Sequence, residues 1–454
     1  MVPGVLTWLN GQKSLAAEPS GGFGLGRRWL VACFVVFTGY AFAMLFSGSN
    51  DAAWARWAVG AYAAAAIAAW CCRRVVVPLT LALAFGIVAP TIWLIVRAPA
   101  TPDVVVVTQS ARLLLQHGSP YLPAGQLTSV LSYNPYLPAM ALFGMPQALG
   151  LPGRFGDTRP WLIAVTLVLL AASFWVAAPR RGNGRGDEGP RRRAAAWAAV
   201  FAVGSPVLAL ELAVGITDGP VIALVCLALA CVARSAAQQS PRVFTVAGVA
   251  VGLACAMKFT AWPALPVIVA ILWARDGRRI AARFAAVSVG TAVVLVAAFA
   301  PRLLAHPGTL AQNVVLFPLG MTPYKTPAAS PVPGHILADL GPAGHVAAIV
   351  VLIAAGLAVA ASLVLRPPMD LGATVVRLAV GLVLLFALAP ASRFGYFAYS
   401  IALLGWLVLT RLDQAGLRPA TDGFESSVGL PVPTVTPSQR DGAGSAATGR
   451  ARPG

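Results

Sequence analysis

The chain alternates between long apolar stretches without charge and short segments that hold clusters of arginine. Residues 75–96 and 344–365, for example, contain no Asp, Glu, Lys or Arg. A helix needs about 20 apolar residues to cross about 30 Å of hydrocarbon. Lipid offers no hydrogen-bond partner to backbone N–H and C=O groups, so helices are the expected form of each crossing. The pattern therefore predicts an all-α, polytopic transmembrane helix bundle.

The apolar stretches predict about twelve spans. They cover residues 29–46, 57–72, 75–96, 161–178, 195–213, 219–233, 243–257, 259–274, 284–300, 344–365, 372–389 and 394–410. The chain divides accordingly into a cytoplasmic N-terminal segment (1–28), a transmembrane domain (29–410) and a cytoplasmic tail (411–454). The tail is rich in Gly, Pro, Ser and Thr, a composition typical of disorder.

The basic residues indicate the orientation. With both termini in the cytoplasm, cytoplasmic segments hold 23 of the 33 Lys and Arg residues and outside segments hold nine. This split follows the positive-inside rule. The net charge of +18 thus comes from basic residues that set the orientation of the spans in the membrane. We expect a multi-pass plasma-membrane protein with no nucleic-acid partner.

Residues 135–150 are apolar enough to suggest a further span, but Pro135, Pro138 and Pro146 interrupt them. A crossing here would also place the basic cluster 180–193 outside. We expect this segment to be re-entrant or to lie along the outer face. Irregular backbone at that depth is tolerated only against protein or a water-filled cavity.

Any chemistry is expected in the two long outer loops, 97–160 and 301–343. In the first loop, Asp103 is the first acid after the third span. Residues 104–116 are predicted to form an amphipathic helix that lies on the membrane surface and ends at Gly118. Tyr121 and Tyr133 follow among prolines.

The second loop contains Lys325, one of three lysines in the chain, and three histidines, His306, His335 and His345. The spacing of these histidines matches no known metal-ligand motif. Neither loop therefore predicts a metal centre.

Three more charged residues are predicted at the outer ends of spans: Asp218 in GITDGP, Lys258 in MKFTAWP and Arg393 in APASRFGYFAYS. Charges at membrane depth are costly and often functional, although a charge that reaches the interface can equally be an anchor. Glu211 lies near the same face, about one turn deeper. It could pair with one of these cations or reach the interface.

The segment PDVVVVTQSARLLLQHGSPYLP, followed by YNPYLP, resembles the first outer loop of the GT-C superfamily of polytopic glycosyltransferases. More narrowly, it is similar to the polyprenol-phosphate-mannose-dependent glycosyltransferase family 87. The matching positions are Asp103, Gly118, Tyr121 and the proline-rich element 133–138. The chain departs from the family pattern by having Tyr-Asn-Pro-Tyr at this element, and by two extra spans before the first outer loop.

The resemblance implies an inverting hexosyltransferase. Such an enzyme moves a sugar, which is expected to be mannose, from a polyprenol-phosphate donor to a cell-envelope glycan or glycolipid on the outer face. The resemblance assigns Asp103 as the general base. The implied phosphate-binding cations are Lys258, Arg393 and Lys325. The implied substrate-binding residues are Tyr121, Tyr133 and Asp218.

No cofactor is required by this pattern, and a divalent metal ion stays an open alternative. A transporter or flippase of a lipid-linked or amphiphilic solute is the alternative function, and a scaffold without catalysis is a third. A transporter should show inverted repeats and broken helices near the midplane. A buried acid within long, proline-rich outer loops favours the enzyme.

Overall fold

The computed structural model describes residues 23–72, 74, 76–177, 205–215, 217–238, 241–301 and 307–415. Thirteen helices of nine or more residues make up most of this part of the chain. They are α1 (Phe23–Met44), α2 (Ser49–Cys71), α3 (Val76–Arg97), α4 (Pro102–His117), α5 (Thr158–Ala177), α6 (Pro206–Val214), α7 (Gly219–Gln238), α8 (Pro241–Met257), α9 (Ala264–Asp276), α10 (Arg278–Phe299), α11 (Pro342–Leu365), α12 (Leu371–Leu388) and α13 (Ala398–Ala415).

Each predicted span overlaps one of these helices, and the all-α polytopic class is confirmed. Five helices (α3, α5, α10, α11 and α12) are long and apolar enough to cross a membrane, and shorter apolar helices lie within α1, α7, α8 and α13. The count of twelve crossings stays a prediction. Part of the fifth predicted span (195–204), the arginine cluster 180–193, the N-terminal segment up to residue 22 and the tail from 416 onward lie outside the described residues. The last helix continues to Ala415, beyond the predicted start of the tail.

The first outer loop contains a helix at the expected residues, and one face of this helix is buried against protein. Helix α4 runs from Pro102 to His117 and ends at Gly118, whose φ of 64° lies in the left-handed region that glycine adopts without strain. Residues 135–150 form no spanning helix. They contain a 3-10 helix (Pro138–Gly144) followed by one helical turn (Met145–Ala148), and most of the 3-10 helix is buried against protein.

Two hydrophobic cores hold the bundle together. The larger core is centred on α7 and includes α4, α8, α9, α12, α13 and the 3-10 helix. The smaller core joins α1, α2 and α3, with α6 packed against them. Helix α6 also contacts α13 and therefore links the two cores.

A proline and a tryptophan explain how α2 and α3 are joined. Pro90 has no N–H, so the carbonyl of Gly86 four residues earlier loses its helical donor, and α3 contains a π-helical turn at Ala84–Val88. The indole Nε1 of Trp54, which is fully buried, donates a hydrogen bond of 2.9 Å to this carbonyl. The tryptophan thereby satisfies a polar group that would otherwise be unpaired in an apolar core.

Arg159 holds the other end of α3. Its guanidinium donates hydrogen bonds to the carbonyl oxygens of Leu94 (3.0 Å), Ile95 (3.2 Å) and Ala98 (3.3 Å), and it forms an ion pair of 2.7 Å with Asp157. A cation at a helix C-terminus satisfies the last carbonyls and complements the helix dipole. This contact fixes the start of the loop that leads to Asp103.

We predict that Trp54→Phe destabilises the protein by about 1–3 kcal/mol, because the carbonyl of Gly86 is then left buried without a donor. Unfolding of the purified protein in detergent measures this loss. Trp57→Phe is the matched control, because Trp57 lies on the same helix with 37% of its surface exposed. Equal stability of the two variants would contradict this account of Pro90 and Trp54.

Candidate active site

A cavity of about 250 Å³ opens at one end of the bundle, among residues of both predicted outer loops. We call this the loop end, defined by residues 98–157 and 307–341. Three charged side chains line the cavity: Asp103, Lys258 and Arg393. They come from sequence positions as much as 290 residues apart, so it is the fold that brings these predicted residues together.

Asp103 and Arg393 form an ion pair within the cavity. Arg393 Nη1 donates to Asp103 Oδ2 at 2.7 Å, and the side chain of Arg393 is 30% exposed and that of Asp103 is 36% exposed. Asp103 lies in the first turn of α4, where the helix dipole favours a negative charge. Burial opposes the charge of Arg393, but the Asp103 carboxylate outweighs this effect and raises the pKa of Arg393 above its ordinary value. The cation is therefore permanent.

Lys258 and Asp218 form a second, more buried pair. Lys258 Nζ donates to Asp218 Oδ1, and each side chain is 10% exposed. Tyr399 Oη donates to the same carboxylate oxygen at 2.7 Å, and Thr260 hydrogen-bonds to that phenol at 2.6 Å. Burial alone would lower the pKa of Lys258, but Asp218 more than reverses the effect, so the pKa lies above the ordinary lysine value.

Aromatic rings surround the lysine. Its Nζ lies 5.3 Å from the ring centroid of Tyr136 and 5.2 Å from that of Tyr396, within the range of cation–π attraction. Both rings also line the cavity. The ammonium is thus fixed by a carboxylate on one side and by π faces on the others.

The two predicted outer loops meet over the cavity. The ring of Tyr133 stacks on Phe317, with centroids 4.6 Å apart and planes 6° apart. At the next residue, the backbone N–H of Asn134 donates to Asn313 Oδ1 at 2.8 Å, and Asn313 is fully buried. Tyr133 and Phe317 both line the cavity, so the predicted residue Tyr133 forms part of its wall.

The second outer loop also holds the turn that carries Arg393. Ser330 N donates to Ser392 O at 2.9 Å, and Phe394 N donates to Ser330 Oγ at 3.1 Å. These bonds flank Arg393 on both sides. The position of the guanidinium therefore depends on the fold of residues about 60 positions earlier in the chain.

Three predicted residues lie outside the cavity lining: Asp218, which is bound to Lys258, and Tyr121 and Lys325. Tyr121 is 4% exposed, and its phenol donates to the carbonyl of Tyr136 at 2.7 Å. Burial raises the pKa of Tyr121. This hydrogen bond supports the backbone at Tyr136. Lys325 is exposed and forms no ion pair with any described residue, although its neighbour Thr326 lines the cavity.

The sequence did not predict the aromatic partners of Lys258 and Asp218, namely Tyr136, Tyr396 and Tyr399. The last two are three residues apart, a spacing that places side chains on one face of a helix. This spacing of two tyrosines directly after Arg393 was the feature of the sequence that could have indicated their place at the site. The contact of Tyr136 with Lys258 had no local signal.

No group of three or more His, Cys, Asp or Glu side chains in the described ranges is arranged to hold a metal ion. His306 lies outside those ranges. The cavity offers two cations, Lys258 and Arg393, and one carboxylate, Asp103, a set suited to anion binding and proton transfer.

Comparison with known proteins finds a family of membrane glycosyltransferases that is similar to part of the chain. The family described as dolichyl-phosphate-mannose-protein mannosyltransferase matches residues 190–304, about a quarter of the chain. The chain is similar to this family over that segment. The match supports the GT-C superfamily and indicates a membrane glycosyltransferase. No curated protein and no solved structure matches the chain.

The matched segment contains Asp218 and Lys258 but neither Asp103 nor Arg393. The pair of Asp218 and Lys258 thus lies within the region of similarity. The pair of Asp103 and Arg393 lies outside this region, and the fold brings it to the same cavity. The narrower resemblance to glycosyltransferase family 87 stays a prediction.

We predict that Lys258→Met or Asp218→Asn alone costs about 3–5 kcal/mol of stability, because either change leaves a buried charge without its partner. The double variant should lose less than the sum of the two. Detergent-induced unfolding of the purified variants measures the coupling. Strict additivity would show that the pair is not coupled in the folded protein.

Proposed function

We propose that the protein is an inverting GT-C glycosyltransferase of the plasma membrane. It moves mannose from a polyprenol-phosphate donor to a cell-envelope glycan or glycolipid on the outer face. The observation that carries this proposal is the single cavity that Asp103, Arg393 and Lys258 line together. The similarity to a mannosyltransferase family supports the choice of donor.

The proposed reaction assigns proton transfer to Asp103. Its carboxylate accepts the proton of an acceptor hydroxyl, whose oxygen forms a new bond to the anomeric carbon from the face opposite the phosphate. The bond between the anomeric carbon and the phosphate oxygen breaks, and the phosphate leaves with the electron pair. The configuration at the anomeric carbon inverts.

Arg393 and Lys258 stabilise the negative charge that develops on the leaving phosphate. Both cations are held in place before the donor arrives, which is the arrangement that makes electrostatic stabilisation effective. Arg393 is hydrogen-bonded to Asp103. A donor phosphate would share this guanidinium and release part of the carboxylate for proton transfer.

The remaining predicted residues have supporting roles beside Asp103, Arg393 and Lys258. Tyr133 would contact the sugar, and Asp218 orients Lys258. Apolar lining from Leu352, Leu385 and Phe386 offers a surface for the first isoprene units of the donor. Lys325 is exposed and lies outside the cavity lining, so we rank it third among the cations.

Asp103→Asn should lower transfer by at least about 100-fold, because the isosteric amide cannot accept the proton. The measurement is transfer of labelled mannose from polyprenol-phosphate mannose in membranes that carry each variant at equal protein levels. The loss of stability should stay below about 1 kcal/mol, because the ion pair with Arg393 is partly exposed.

Asp339→Asn is the matched control, since it removes a loop-end carboxylate whose side chain is 63% exposed and lies outside the cavity lining. Equal transfer by wild type and Asp103→Asn would reject Asp103 as the base. Absence of transfer in every variant would reject the donor or the enzyme class, and an assay of solute transport would then test the alternative function.

The proposed orientation has its own test. Leu340→Cys creates a thiol at a loop-end position that is 76% exposed. A membrane-impermeant maleimide should label it in intact cells. The native Cys71 and Cys72, which are exposed at the other end of α2, should react only after lysis. The reverse pattern would place the loop end in the cytoplasm.

A further inference from the structure

Tyr396 lies against both ion pairs of the cavity. Its backbone N–H donates to the carbonyl of Arg393 at 3.1 Å, and its ring centroid lies 5.2 Å from Lys258 Nζ. The ring also packs on Phe386, with centroids 5.3 Å apart. These contacts fix the side chain beside the two cations.

The hydroxyl of Tyr396 takes part in none of these contacts. Within the described ranges of the chain it has no hydrogen-bond partner. It is also not one of the enclosed polar atoms that lack a partner, and the residue lines the cavity. The hydroxyl is therefore open to the cavity and free to donate to a ligand.

The neighbouring tyrosines differ in this respect. The hydroxyl of Tyr136 lies 3.3 Å from Thr217 Oγ1, and that of Tyr399 donates to Asp218. A phenylalanine in place of Tyr396 would supply the same cation–π face and ring packing. The hydroxyl is thus the part of Tyr396 that the frame of the site does not explain.

The charges around this hydroxyl indicate which ligand it fits. Four charged groups act on the phenol: Lys258, Arg393, Asp103 and Asp218. Both carboxylates are already bound to cations. A phosphate held by the two cations would place a new anionic acceptor beside the phenol, and a hydrogen bond to a charged acceptor is roughly twice as strong as a neutral one.

From this geometry we infer that Tyr396 is a donor-binding residue whose hydroxyl donates a hydrogen bond to the phosphate of the polyprenol-phosphate donor. It adds a neutral partner to Arg393 and Lys258. The phenol keeps its proton throughout, because the phosphate leaves as a stable anion. Its hydrogen bond strengthens as negative charge develops on the phosphate. This inference rests on the proposed function for the identity of the ligand.

Tyr396→Phe removes the hydroxyl and keeps the ring. We expect binding of polyprenyl phosphate to the purified protein to weaken about tenfold to about a hundredfold, as for the loss of one hydrogen bond to a charged group. Binding of uncharged polyprenol and the unfolding temperature should be unchanged, because the ring contacts remain. Equal losses of affinity for polyprenyl phosphate and polyprenol would overturn the inference, since the hydroxyl would then not act on the phosphate.

Two other tyrosines provide the comparison. Tyr324→Phe is the matched control, because Tyr324 is 38% exposed and lies outside the cavity lining. The ring of Tyr136 lies 5.3 Å from the same lysine Nζ, but its hydroxyl faces Thr217. Tyr396→Phe should therefore lose more affinity for polyprenyl phosphate than Tyr136→Phe. An equal or larger loss in Tyr136→Phe would contradict the assignment.

The same binding measurement separates this inference from the proposed function. If wild type and Tyr396→Phe bind polyprenyl phosphate equally well, the inference fails whether or not mannose is transferred. If Tyr396→Phe binds it more weakly but wild type transfers no mannose, the inference stands and the proposed reaction fails. If wild type binds no polyprenyl phosphate, both are rejected.

Discussion

The pairing of charges at one end of an apolar bundle is the constraint on which the rest of this structure depends. An unpaired charge in such surroundings is costly, so Asp218 and Lys258 are bound to each other, as are Asp103 and Arg393. Each pair joins segments that are distant in sequence. Together they draw α4, α7, α8 and the start of α13 around one cavity.

The two pairs differ in burial, and this difference divides their roles. The pair of Asp218 and Lys258 is largely enclosed and further held by Tyr399, so it acts as a fixed part of the frame. The pair of Asp103 and Arg393 is partly open to the cavity. A charge pair that solvent can reach is also one that an anionic substrate can enter, which explains why we place the reacting groups there.

The frame around the pairs is built from contacts to backbone. Arg159 fixes the end of α3, and Asn50 Nδ2 donates to the carbonyl of Pro99 at 3.1 Å, so the hairpin of α1 and α2 is tied to the segment before Asp103. The two extra N-terminal helices thus support the position of Asp103 and also cover α6 in the smaller core.

Much of this architecture could be predicted from the sequence. The apolar stretches located the helices, Gly118 ended α4 as expected, and three prolines correctly argued against a spanning helix at 135–150. Asp103, Lys258 and Arg393 could be selected because isolated charges beside apolar stretches are conspicuous.

The partners of these charges could not be predicted in the same way. The pairing of Asp103 with Arg393 depends on tertiary packing between segments far apart in sequence, and a single sequence has no local signal for such contacts. Tyr121 shows the converse limit. Its place in a proline-rich loop fits a ligand-binding residue, whereas its burial and its bond to the carbonyl of Tyr136 give it a supporting position.

The most direct test of the central claim is an experimental structure of the protein with bound polyprenyl phosphate. The account predicts that the phosphate lies in the cavity within hydrogen-bond distance of both Arg393 and Lys258, with Asp103 beside it and free to face an acceptor. A phosphate bound elsewhere, with the pair of Asp103 and Arg393 unchanged and the cavity empty, would contradict it.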